Sequence, residues 1–246
     1  MVNGLNLTGK ETHLKIRQIL RHTNSWNAAL LLLLAFFTWL MAGITMNYIP
    51  YNTDVGFLRI KQQYIGIDHW RIAFFIHVYA SLWVLLAGFT QFSRWIQRNN
   101  PRLHRTMGYI YVVDVLLITG PAGMLMGFYA NGGLPSRIAF VTLATLWIFC
   151  TAMALIKARQ KNFKAHRQFM IRSYALTLSA LTLRAWKYAI TNTAGYYHVE
   201  LSPMDVYRTV AWMGWVPNIL FAEWLIRKSK IKLRQNRKTK ELKIEN

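Results

Sequence analysis

The sequence predicts an all-α, polytopic membrane protein, and three observations support this prediction. Of the 246 residues, 54% are hydrophobic, only 16% are charged, and the apolar residues come in long blocks. A bilayer-spanning helix needs about 20 mostly apolar residues, whereas a soluble domain is roughly a quarter charged. The composition therefore excludes a soluble enzyme and a disordered chain. The single cysteine, Cys150, excludes an intramolecular disulfide and a cysteine zinc site.

Six blocks are predicted to span the membrane. The blocks 28–46, 72–92, 106–130 and 138–156 contain at most one histidine or aspartate and no other charged residue. The blocks 168–190 and 206–226 are weaker, because charged residues interrupt both. We therefore predict a single membrane domain over residues 1–246 with six transmembrane helices. The second to fifth helices, within 72–190, are expected to form a four-helix core.

The cationic residues predict the orientation. Of the 30 Lys and Arg residues, 22 lie in the alternate segments 1–25, 93–105, 157–167 and 227–246. Lys and Arg accumulate in cytoplasmic loops, so both termini are expected to be cytoplasmic. The basic tail, 227–246, directly follows a helix. Its expected partner is therefore anionic lipid headgroups rather than nucleic acid.

An internal repeat supports the four-helix core. Leu82-Trp83 and Leu146-Trp147 are each followed by apolar residues, a basic loop and a His-Arg pair. These pairs, His104-Arg105 and His166-Arg167, open the third and fifth predicted helices. The pattern favours a duplicated helical hairpin, and two such hairpins would close into a bundle with the first and sixth helices outside.

Polar residues inside the membrane are candidates for function, because each costs several kcal/mol unless it is paired. His77 is predicted to lie roughly 10 Å below the outer boundary, at about 1.5 Å per residue, with Gly88 on the same face. A histidine above a small residue offers a flat cofactor both a ligand and room. The alternative is a structural hydrogen bond from His77 to a neighbouring helix.

Arg184 is predicted to lie at nearly the depth of His77, about five turns after His166 on one face. Ser173 and Thr177 fall along or near the same line, so this polar stripe should point into the bundle. The pattern indicates one outer-half site that combines His77 with Arg184. Alternatively, the Arg184 side chain extends outward to the membrane surface.

His104 and His166 are predicted to face each other across the core at its cytoplasmic end. Two imidazoles on opposite helices are a typical axial pair for a b-type haem. Arg105, Arg167 or Arg172 would then bind the haem propionates. The alternative for both histidines is a role in the headgroup region.

Asp114 is the one carboxylate deep within the four strongest blocks, and Gly120-Pro121 predicts a kink in the same helix. The helical rise places Asp114 about 6 Å deeper than Arg172. An arginine side chain covers that difference, so we predict a structural Asp114–Arg172 ion pair, ahead of a proton-carrying carboxylate.

These motifs resemble a bacterial family of predicted membrane proteins, domain-of-unknown-function 2306. The resemblance rests on His77, on Gly88-Phe-Thr-Gln91-Phe, on Arg184 and on two segments that begin with the His-Arg pairs, 104–109 and 166–174. It covers about residues 72 to 190 and implies a multi-helix protein of the bacterial inner membrane. It marks His77, both His-Arg pairs and Arg184 as shared polar positions.

A more distant similarity is to cytochrome b561-like and ferric-reductase-like bundles, which hold haems between histidines of alternate helices. It implies haem b bound by His104 with His166, or by His77 with a non-histidine ligand. The fourth helix has no histidine, so at most one site has two. The leading hypothesis is haem binding with electron transfer to or from a membrane quinone or another small acceptor. The alternatives are a transporter or channel with a path along His77, Asp114, Arg172 and Arg184, and a non-catalytic assembly partner.

Overall fold

The computed structural model describes residues 25–49 and 52–245, and these residues form helices and turns without a strand. The all-α prediction is therefore confirmed for this part of the chain. Most of the predicted N-terminal segment, 1–25, lies outside the described residues. The α-helices are α1 Ser25–Met46, α2 Gln62–Ile65, α3 Asp68–Gln91, α4 Arg94–Asn99, α5 Pro101–Val113, α6 Gly120–Phe128, α7 Leu134–Arg159, α8 Phe163–Thr177, α9 Ser179–Tyr196, α10 Pro203–Met213 and α11 Val216–Glu245.

Three of the described helical stretches are long and apolar enough to cross a bilayer: Asp68–Gln91, Pro101–Phe128 and Leu134–Arg159. They correspond to the second, third and fourth predicted spans. The first predicted span falls in α1, whose segment Ala35–Met46 is a shorter apolar helix. The fifth and sixth predicted spans are each divided between two helices, so the count of six crossings stays a prediction.

The long helices pack as successive neighbours. Helix α3 packs against α5 and α6, α6 against α7, and α7 against α8. Helices α3 and α8 are in contact where the Tyr174 ring of α8 lies against Gly88 of α3. A Cβ atom built on Gly88 would lie 2.5 Å from that ring. Helix α1 packs against α3, while α10 packs against α7 and α9, and α11 packs against α8.

A buried network of hydroxyl groups ties α5, α7 and α8 together. The Tyr111 hydroxyl lies 2.7 Å from both Ser173 Oγ and Thr177 Oγ1. Thr151 Oγ1 lies 2.7 Å from Ser173 Oγ, and Trp147 Nε1 donates to Thr177 Oγ1 at 3.0 Å. The prediction that Ser173 and Thr177 point into the bundle is confirmed, since both are buried. The network satisfies these polar groups within the protein, as an apolar surrounding requires.

The helical stretch Pro101–Phe128 is widened in the middle. Between α5 and α6 the chain forms a π-helical segment, Asp114–Thr119, and the Gly120 N–H donates to the carbonyl of Val115, five residues earlier. Pro121 follows at once. In a regular α-helix its ring would collide with the carbonyl four residues before it, and proline has no N–H to donate, so a regular α-helix is disfavoured here. The irregularity that Gly120-Pro121 predicts is therefore this π-helical segment.

The segment between α1 and α3 folds against one end of the bundle. A 3₁₀ helix, Gly56–Lys61, runs directly into α2. Leu58 packs in a buried cluster with Tyr48, Trp70, Phe74 and Phe75. This cluster holds Lys61 at the end of the bundle that we call the Lys61 end. The opposite end carries His104 and His166 and is called the His166 end.

Replacing Gly120 with alanine should destabilise the protein by about 1–3 kcal/mol, the usual cost of overpacking. The added Cβ would lie 2.2 Å from the Val115 carbonyl oxygen and 2.7 Å from the Ile148 side chain. Thermal unfolding in detergent measures the effect. Gly43→Ala is the matched control, because nothing lies within 4 Å of a Cβ there. Equal melting temperatures for Gly120→Ala and the wild type would contradict the π-helical geometry.

Candidate functional site

A cavity of about 230 Å³ lies inside the bundle toward the Lys61 end. Most of its wall is apolar or aromatic, including Trp70, Leu85 and Trp147. Three side chains that can carry a positive charge also line it, namely Lys61, His77 and Arg184. None of the described residues that line it is Asp or Glu. As far as the described residues show, the cavity is therefore an apolar chamber that contains basic groups without an acidic partner.

The imidazole of His77 is fixed by the π-helical segment. Its Nδ1 lies 2.9 Å from the carbonyl oxygen of Thr119. A carbonyl only accepts, so Nδ1 carries a proton, and in the neutral ring Nε2 has a free lone pair. Among the described residues Nε2 has no hydrogen-bond partner. His77 therefore combines the predicted structural hydrogen bond with one free ring nitrogen.

The glycine that makes room for His77 is Gly123, not Gly88. A Cβ on Gly123 would lie 2.9 Å from Cε1 of His77, so the imidazole lies directly over this glycine. The surface of Gly88 is covered by Tyr174 and Tyr111 instead. The prediction that Gly88 provides room for a flat cofactor beside His77 is therefore wrong. The rotation of α3 relative to its neighbours decides which glycine faces the histidine, and helical spacing along α3 alone does not predict that rotation.

Arg184 shares the cavity with His77, and the two are close enough to interact electrostatically. One guanidinium nitrogen, Nη1, donates to the Ala180 carbonyl at 2.6 Å. Within the described part of the chain no carboxylate pairs with Arg184. The structure thus places these two predicted site residues in one chamber and leaves most of the arginine's five donors free.

Lys61 is the site residue that sequence reasoning missed. It is only 2% exposed, and its Nζ donates to the Tyr129 carbonyl and, at 2.8 Å, to Asn131 Oδ1. The Tyr64 ring centroid lies 4.9 Å from Nζ. Burial, and secondarily the charge of Arg137, lower the pKa of Lys61 to about 8. A lysine in a polar connecting segment looks solvated in the sequence; only the fold of residues 56–65 buries it.

The two His-Arg pairs lie together at the His166 end. His166 Nδ1 lies 2.8 Å from the Ala154 carbonyl, which leaves Nε2 as its free nitrogen. His104 lies close enough to His166 to interact with it electrostatically, and its buried Nδ1 has no hydrogen-bond partner. Arg105 and Arg167 are exposed, and the Arg105 Nε donates to the Pro101 carbonyl. The histidines therefore come together, while their neighbouring arginines face outward.

The predicted Asp114–Arg172 ion pair is wrong. Arg172 makes a two-pronged ion pair with Glu223 of α11, through Nε to Oε1 and through Nη2 to Oε2 at 3.1 Å. Asp114 is only 6% exposed, and its Oδ1 has no hydrogen-bond partner. Matching depths on adjacent helices suggested the wrong partner, because Glu223 comes from the last helix. Neither Asp114 nor Arg172 lines the cavity.

Comparison with known proteins identifies the family. The family model described as "Predicted membrane protein (DUF2306)" matches residues 74–226, which is more than half of the chain. No curated protein and no solved structure shows significant similarity to the chain. The similarity to cytochrome b561-like bundles therefore stays a prediction. Its family match and its apolar helices make this chain a membrane protein that belongs to the DUF2306 family.

Proposed function

We propose that this protein binds a small amphipathic anion, with its acidic head between Arg184 and Lys61 and its apolar part along the cavity wall. The observation that carries the proposal is the cavity itself, because Lys61 and Arg184 reach it and none of the described residues that line it is acidic. Small-molecule sites are mostly apolar with a few polar groups that fix the orientation of the ligand. This cavity has that composition.

The charge balance favours an anion over a neutral ligand. A cation inside a membrane protein is costly unless an anion or several acceptors compensate it. Within the described part of the chain, Arg184 and Lys61 donate to neutral acceptors alone, namely the carbonyls of Ala180 and Tyr129 and the amide of Asn131. A carboxylate in the cavity would supply the missing negative charge and accept charge-assisted hydrogen bonds from both.

The size of the cavity limits the ligand. Sites for drug-sized ligands usually enclose about 300–1,000 Å³. A cavity of about 230 Å³ fits a smaller molecule, such as a medium-chain carboxylic acid. A membrane quinone, the partner expected from the sequence, would present carbonyl oxygens to the same donors but no negative charge. It is therefore the natural competitor to compare with the acid.

Haem binding with electron transfer is the second candidate, and the His166 end supports it. His166 bonds a backbone carbonyl through Nδ1, the arrangement that metal-binding histidines use to present Nε2. The His104 imidazole would be the other ligand, and its buried Nδ1 has no hydrogen-bond partner among the described residues. Bound haem b would supply one-electron transfer. His77 is less favoured for this role, because no second histidine is among the described residues that line its cavity.

The proposed setting is a bacterial inner membrane crossed six times, with both termini in the cytoplasm and helices two to five as the core. This topology is supported by the basic residues of the connections on one side and of the tail, 227–246. The tail would then lie against anionic lipid headgroups. The cavity then lies in the periplasmic half of the membrane. A reporter that is active only in the periplasm and is fused after Asn246 tests the orientation and should be silent.

Arg184→Gln should weaken octanoate binding about 10- to 100-fold, because one charge-assisted hydrogen bond contributes about 1.5–3 kcal/mol. Isothermal titration calorimetry of the protein in nanodiscs measures the affinity. Lys187→Gln is the matched control, since Lys187 is exposed on the same helix. The wild type should bind octanol and a short-chain quinone more weakly than octanoate. Equal affinities for octanoate and octanol would contradict the proposal.

Octanoate affinity should fall as the pH rises through about 8, the pKa of Lys61. Below that pH the ammonium group attracts the carboxylate, and above it the neutral amine does not. By linkage the affinity then falls by at most about tenfold per pH unit. Lys61→Met should bind weakly at every pH and lose this slope. A slope that persists in Lys61→Met would assign it to another group.

Purified wild-type protein, expressed with ample haem supply, should show a Soret absorbance band if the His166 end binds haem. His104→Ala or His166→Ala should then abolish the band, because each removes one imidazole ligand. His77→Ala should keep it, and His198→Ala is an exposed control. A wild-type spectrum without the band would reject the haem candidate and leave the anion site unaffected.

A further inference from the structure

We infer that Asp114 is a proton-binding site within the membrane domain, and that its proton is exchanged when the cavity is filled. The second half of this inference rests on the proposed anion binding; the first half does not. Three features of the π-helical segment and its surroundings carry it: the burial of the carboxyl group, the absence of a cationic partner, and a hydrogen-bonded connection to His77.

The carboxyl group of Asp114 is enclosed by protein. The residue is 6% exposed, and its Oδ1 is buried without a hydrogen-bond partner among the described residues. Thr119 is the residue that hydrogen-bonds the carboxyl group. An ionised carboxylate normally accepts several hydrogen bonds over both oxygens, and burying it with one oxygen unsatisfied is costly. A protonated carboxyl group is neutral and avoids most of that cost. Burial of this kind therefore favours Asp114 with its proton.

No cation compensates Asp114 among the described residues. The guanidinium that would be its partner, that of Arg172, is engaged by Glu223. The helices packed against the π-helical segment are α3, α5, α6 and α7. None of the partly or fully buried ionisable side chains described on these helices forms an ion pair with Asp114. These side chains are Arg71, His77, Tyr79, His104, Tyr111, Cys150 and Lys157.

The π-helical segment connects Asp114 to the cavity. Thr119 Oγ1 donates to the Asp114 carbonyl at 3.2 Å, and the Thr119 carbonyl accepts from His77 Nδ1 at 2.9 Å. His77 lines the cavity, so a ligand that moves the imidazole also moves the Thr119 carbonyl through their hydrogen bond. Single π-helical turns have no regular i→i+4 pattern and are frequent at functional sites. A shift of this turn changes the surroundings of Asp114, and with them its affinity for a proton.

The resting proton is tested by infrared spectroscopy of the full-length protein in lipid, without ligand. The wild type should show a carbonyl stretching band of a protonated carboxylic acid that shifts in D₂O, and Asp114→Asn should lack it. Because Asn is a neutral isostere of the protonated acid, Asp114→Asn should also keep the melting temperature near that of the wild type. Glu223→Gln, which leaves the Arg172 charge unpaired, should lower the melting temperature clearly.

The exchange is tested with octanoate in weakly buffered solution containing a pH indicator. The wild type should take up or release close to one proton per bound octanoate through Asp114, and Asp114→Asn should lose that exchange while it still binds octanoate. Asp114→Glu is the second variant, in case Asp114→Asn does not fold, and its acid band should appear at a shifted frequency. An unchanged acid band in both variants would overturn the inference.

The outcomes separate this inference from the proposed function. Failure of wild-type protein to bind octanoate would reject the anion site, while the infrared band would still decide whether Asp114 holds a proton. Octanoate binding with identical proton exchange in wild type and Asp114→Asn would keep the anion site and reject the coupling. A large loss of stability in Asp114→Asn, with no acid band in the wild type, would show an ionised carboxylate instead.

Discussion

A polar group inside a bilayer finds no water, so it must find its partner within the protein, and the described structure is organised by that constraint. Tyr111, Trp147 and Thr177 satisfy one another across three helices. Arg172 of α8 and Glu223 of α11 neutralise each other, which fixes the last helix against the bundle. Such pairs matter more for specifying the arrangement of helices than for net stability, because the energy gained offsets a large desolvation cost.

Three side chains, Arg184, Lys61 and Asp114, lack a partner of opposite charge among the described residues, and the hypotheses of anion and proton binding rest on them. Arg184 and Lys61 reach an apolar cavity and donate to neutral acceptors, while Asp114 is enclosed by protein. The π-helical segment connects the two locations, since Thr119 contacts His77 on one side and Asp114 on the other. The cavity, through His77, and the buried carboxyl group of Asp114 therefore both contact one irregular helical turn, which is the arrangement that the proposed proton-coupled anion binding requires.

The sequence predicts the features that depend on local pattern. The apolar blocks 72–92, 106–130 and 138–156 match described long helices, and Gly120-Pro121 marks the irregular turn. It does not predict features that depend on how helices rotate against one another. Gly123 rather than Gly88 faces His77, and Glu223 rather than Asp114 binds Arg172. The π-helical segment itself shifts the faces of the third helix, which makes such assignments from regular spacing unsafe.

The central claim is that the cavity beside His77 holds an acidic molecule between two otherwise uncompensated cations. Native mass spectrometry of protein released gently from the membrane tests it most directly. The account predicts one small acidic amphiphile bound per chain, and loss of that molecule when Arg184 and Lys61 are both replaced by neutral residues. Wild-type protein that carries no such molecule, or that retains it in the double variant, would contradict the account.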